Sequence, residues 1–152
     1  MSHNPAPPRW PLIALRVFAA LSALLALIQP FLAGGFLQGY YPLLDAHLMA
    51  AMILATAVLL AAVSAVLAWR LSGSPANLAI QYGILLLCCV AQISLGFSRV
   101  LLLHIPLGVG IFVMAEKFVA DVFRTRSAPA AAGPAEPAAV PAEPAAAPAV
   151  AE

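Results

Sequence analysis

Four apolar runs, at residues 12–36, 43–69, 76–97 and 100–121, leave this chain few ways to fold. Each approaches or exceeds the roughly 20 residues that an α-helix needs to cross a bilayer. Inside hydrocarbon every backbone N–H and C=O must be satisfied internally, and a single apolar run achieves that only as a helix. With 64% hydrophobic and 9% charged residues, and a mean hydropathy of +1.01, little material remains for a soluble core. The expectation is an all-α polytopic membrane protein, a four-helix transmembrane bundle whose first partner is the lipid bilayer. Seven basic and six acidic residues give a net charge of +1 without a basic cluster, which argues against a nucleic-acid partner.

Punctuation and charge set the expected topology. Pro42 precedes the second span, Gly73 interrupts the chain after it, and Ser74-Pro75 reads as N-cap and first helical residue of the third. Trp10 and Trp69 fall near one membrane face, Tyr40 and Tyr41 near the other, as interfacial aromatic belts do. Arg9, Arg16, Arg70, Lys117, Arg124 and Arg126 belong to one side and only Arg99 to the other. The positive-inside rule then makes residues 1–11 a short cytoplasmic N-terminus and puts the C-terminus on the same side. A bacterial cytoplasmic membrane is the expected location. A cleaved signal peptide is the rival reading of the first span, whose apolar stretch is longer than a usual signal core.

Residues 122–152 read as a tail. From Ser127 onward, six prolines in 26 residues, among Ala and Glu, work against helix and sheet, and few bulky groups remain to offset the entropy of ordering. A disordered cytoplasmic appendage is expected. Cys88 and Cys89 are adjacent within an apolar run, where they suit neither a disulfide framework nor a C-x-x-C ligand pattern.

Polar residues are scarce in the spans, so those present are informative. With both termini inside, spans two and four start at the outer face, and His47 and His104 each lie four or five residues into theirs. At 1.5 Å per residue that is roughly 6–8 Å below the boundary for both. Gln92, near the outer end of span three, and Gln29, somewhat deeper in span one, add to the same layer. Helical steps from His47 pass through Ala50, Ala51, Leu54, Ala57, Val58, Ala61, Ser64 and Ala65, whereas Leu48, Met52, Ile53, Leu59, Leu60, Val63, Val66 and Leu67 form the opposing side. The histidine thus shares the small-residue face. After His104 come Gly108 and Ala115 on one side of span four, and Pro106 frees the Leu102 carbonyl and kinks the helix beside the ring.

Small faces allow close helix packing, and a histidine in the first turns of a membrane helix is commonly an interfacial hydrogen-bonding residue. Two on alternate helices at one depth point instead to a shared ligand. A tetrahedral zinc site wants three or four protein ligands, and the only acidic residue near this layer is Asp45. Haem asks the protein for axial ligands alone. His47 and His104 are therefore expected as axial ligands to the haem iron of haem b. Arg99 is the candidate partner of the propionates, and Gln29 and Gln92 are candidates to hydrogen-bond and orient an imidazole.

The pattern resembles one half of a heme A synthase-like protein and, more loosely, other small four-helix cytochrome b-type membrane proteins. The resembling stretches are QPFLAGG at the end of span one, DAH at the start of span two and LLLHIPLG opening span four, within residues 12–121. The resemblance implies a b-type haem between histidines of the second and fourth helices, positions that His47 and His104 occupy here. The chain departs from the family in having one such half, Leu48 after the first histidine, Leu44 three residues before it, and no cysteine pair in the first outer loop. Those departures argue against synthesis of haem A and leave haem binding open.

The function expected is electron transfer or haem handling near the extracytoplasmic face, with a membrane redox partner or quinone. Two alternatives stand beside it. One is a cofactor-free accessory subunit of a larger membrane complex; the other is a small transporter using the histidine pair, for which the cytoplasmic half offers only Gln81, Ser64 and Glu116.

Overall fold

The computed structural model describes residues 7–125. They form four helices: α1 (Trp10–Leu37), α2 (Pro42–Ser72), α3 (Ala76–Phe97) and α4 (Leu101–Arg124). All four are long and apolar enough to cross a membrane. The described residues form an all-helical, multi-pass membrane bundle, as the apolar runs require. The tail expected from its composition lies, from residue 126 onward, outside the described residues.

The helix ends follow local chemistry. Pro42 opens α2, where its missing N–H costs nothing, and Gly73 closes it in the left-handed conformation, at φ 66°. The Ser74 N–H then returns to the Ala68 carbonyl at 3.1 Å. Pro75 proves to be the N-cap of α3 and not its first helical residue. Its ψ of 135° is extended, and Ser74 makes no side-chain cap. Helix α4 continues past residue 121 to Arg124, because Asp121 pairs one turn back with Lys117 at 2.7 Å and forward with Arg124 at 3.7 Å. Arg16 on α1 adds a hydrogen bond to the Thr125 carbonyl at 2.7 Å, tying down the end of that helix. The range 122–152 expected for the tail is corrected accordingly.

Successive helices are antiparallel neighbours, and α4 closes the ring against α1. Along both diagonals, α1 to α3 and α2 to α4, the backbones nowhere come within 8 Å. The bundle has a terminal end, where the described chain starts and finishes, and a turn end, where residues 38–41 and 98–100 connect the hairpins.

The core fills only the terminal half. Buried positions run from Pro11 to Ala26 on α1, from Leu54 to Ser72 on α2, from Leu78 to Cys89 on α3 and from Ile111 to Val122 on α4. The face expected of α2 is seen over most of its length: Leu54, Ala57, Val58, Ala61, Ser64 and Ala65 are buried and Leu48, Met52, Ile53, Leu59, Leu60, Val63 and Val66 are exposed, whereas Ala50 and Ala51 on the one side and Leu67 on the other are half-buried. Toward the turn end no described residue of any helix is buried.

Candidate ligand site

The two histidines meet in the other half, toward the turn end. His47 on α2 and His104 on α4 face each other across a diagonal, with ring centroids 6.3 Å apart and planes inclined by 60°.

Each ring is held in the same way. His47 Nδ1 lies 3.3 Å from the Gln29 main-chain oxygen, and His104 Nδ1 lies 3.0 Å from that of Gln92. A carbonyl only accepts, so in a neutral ring Nδ1 carries the proton and Nε2 keeps its lone pair. This is the tautomer a metal-binding histidine needs, and main-chain carbonyls commonly fix it. The glutamines therefore serve the histidines, though through the backbone and not through the side-chain amides expected from the sequence. Those amides are left over. Gln29 Nε2 and Oε1 and Gln92 Oε1 are shielded and have no hydrogen-bond partner among the described residues.

Glycines make room for this arrangement. A Cβ on Gly96 would sit 3.0 Å from His104 Cε1, and one on Gly108 would sit 2.9 Å from Gln92 Nε2. Two prolines lie within the site's helices: Pro106, two residues after His104, and Pro30, directly after Gln29. Each removes one intrahelical hydrogen bond, freeing the carbonyls of Leu102 and Ala26.

The hairpins repeat one register. Leu15, Ala19, Ser22 and Ala26 precede Gln29 by 14, 10, 7 and 3 residues, and Leu78, Tyr82, Leu85 and Cys89 precede Gln92 by the same intervals; all eight are buried. Leu54, Val58, Ala61 and Ala65 follow His47 by 7, 11, 14 and 18 residues, as Ile111, Ala115, Phe118 and Val122 follow His104. Core and site are thus built twice. The hairpins differ beyond the site, where 18 residues separate Gln29 from His47 and 12 separate Gln92 from His104.

Arg99 stands in the shorter turn, exposed, with a φ of 55°. In the longer turn the left-handed position belongs to Gly39, at φ 98°. Each is followed by the same return bond, Tyr40 N–H to the Gly35 carbonyl and Val100 N–H to the Leu95 carbonyl. A glycine would be the ordinary choice at 99, since a side chain there costs about 1–2 kcal/mol.

A second polar group closes the terminal end. Gln81 Nε2 donates to Asp121 Oδ2 at 3.0 Å, alongside Lys117, and Tyr82 packs edge-on against Phe118. These contacts join α3 to α4. Among the described residues no three His, Cys, Asp or Glu side chains come together as a metal-ligating group. No family model, curated protein or solved structure matches the chain.

Proposed function

We propose that the chain is a membrane-embedded haem b protein in which His47 and His104 are the two axial ligands and which serves electron transfer or haem handling. The observation that carries this reading is the imidazole pair itself: two rings on diagonal helices, 6.3 Å between centroids, each with Nδ1 spent on a backbone carbonyl. Two metal–nitrogen bonds of about 2 Å, with about 1 Å more from each nitrogen to its ring centre, add to roughly 6 Å. No described residue in the half of the bundle around the rings is buried as a whole, which suits a bulky group. The porphyrin would supply four further nitrogens and a one-electron couple.

The chain's own residues have distinct tasks in this reading. The carbonyls of Gln29 and Gln92 hold the ligating tautomer. Gly96 lets the His104 ring lean against α3. Arg99, in a conformation that a glycine would hold with less strain, would pair with the propionates at the membrane surface. The excess of Lys and Arg at the terminal end supports an orientation with that end cytoplasmic and the histidine layer toward the outer face. A membrane redox partner or quinone would exchange electrons there.

The test is optical. Protein purified from haem-replete cells should show the narrow reduced bands of a six-coordinate haem, and His47→Ala together with His104→Ala should abolish them. A colourless protein, or bands that survive the double substitution, would refute the reading.

A further inference from the structure

We propose that the side-chain amides of Gln29 and Gln92 form a polar floor beneath the imidazole pair and set the redox balance of the metal complex held there; this rests on the haem reading above. Side chains on a helix tilt toward its N-terminus. On α2 and α4 that direction is the turn end, so the imidazoles point that way. On α1 and α3 it is the terminal end, so the amides hang below the level of the carbonyls that anchor the rings. The structure bears this out at Gln92, whose Nε2 fills the space beside Gly108, one turn past His104. Ala51 occupies the equivalent position in the first hairpin.

Below the floor, the next inward positions are Ala26, Leu54, Cys89 and Ile111, all buried. The amides are thus the polar groups between the rings and the apolar core. Three of their atoms, Gln29 Nε2 and Oε1 and Gln92 Oε1, have no partner among the described residues. An unpaired buried amide is costly, and in surroundings of low dielectric its dipole acts strongly on a nearby charge. Ferric haem with two neutral histidines carries one more positive charge than ferrous. Polar groups that reorient toward it favour the oxidised form; apolar replacements favour the reduced one.

The experiment is a redox titration of full-length purified protein, following the reduced band. Gln29→Leu and Gln92→Leu should keep the six-coordinate spectrum, because the ring anchors are main-chain carbonyls, and should raise the midpoint potential. Gln92→Glu should lower it. Gly108→Ala, which displaces the Gln92 amide without touching either histidine, should shift it as Gln92→Leu does. Pigmented variants whose potentials all match the parent would overturn the floor and leave the haem reading standing. Should the leucine variants fail to accumulate, an unmoved potential in both Gln92→Glu and Gly108→Ala would overturn it equally. A parent protein without pigment would refute the haem reading on which the floor rests.

Discussion

At the scale of single residues, substitutions can separate side chains that hold the fold from those to which the haem proposal gives a ligand role. Arg99 occupies a left-handed position that Gly39 fills in the other hairpin. Replacing Arg99 by glycine should therefore relieve about 1 kcal/mol of backbone strain while removing the cation proposed for the propionates. The expected outcome is an unchanged or slightly higher unfolding temperature in detergent with faster loss of haem to a scavenger. A turn destabilised by Arg99→Gly would show that the arginine is structural. Two glycines of α3 offer a matched pair. Nothing lies within 4 Å of a Cβ added at Gly83, whereas one at Gly96 meets the His104 ring. Gly83→Ala should gain up to about 1 kcal/mol from helix propensity. Gly96→Ala should broaden or shift the haem bands with helix content preserved, as circular dichroism would report. The histidines were legible in the sequence because charged or polar groups are rare in apolar spans. Their anchors were not, because a main-chain carbonyl has no sequence signature; the glutamines were found for the side chains they carry and matter first for their backbone.

At the scale of helices, small and large residues are shared unequally between the two hairpins. Where α2 has Val58, Ala61 and Ala65, α4 has Ala115, Phe118 and Val122 at the matching intervals, and where α1 has Ala19, α3 has Tyr82. Small inward residues let α1 and α2 approach closely; the Tyr82–Phe118 edge contact, with centroids 6.0 Å apart, fills the corresponding level between α3 and α4. Ala61→Leu should then cost about 1–3 kcal/mol through overpacking, whereas Val63→Leu on the exposed side of the same helix should be nearly neutral. Chemical denaturation in mixed micelles checks both, and equal effects would contradict the assigned face. Periodicity from His47 gave this face in advance. Helix ends were less accessible, because α4 ends where Asp121, Lys117, Arg124 and Arg16 satisfy one another. Hydropathy does not register that kind of contact. The repeated register was hidden for a simpler reason: six more residues lie between glutamine and histidine in the first hairpin than in the second, so the intervals align only once the core positions are known.

At the scale of the whole molecule, the buried residues lie in one half of the bundle and stop at one level on all four helices: Ala26, Leu54, Cys89 and Ile111. Local stability follows buried apolar contact, so the two halves should not open with the same free energy. Without the proposed haem, the histidine-bearing half should exchange amide hydrogens well before the terminal half, even though both lie within continuous helices. A ligand gripped by both hairpins adds binding free energy to any state in which those hairpins are apart, about 2.7 kcal/mol at a hundredfold excess over its dissociation constant. Loading with haem should therefore slow exchange most at residues 29–53 and 92–110, and little at residues 57–68, where Ala57, Val58, Ala61 and Ala65 are already buried. Peptide-resolved hydrogen exchange on the apo and loaded protein in the same detergent measures this directly. Uniform protection across both halves would mean that the ligand stabilises the bundle without entering between the histidines.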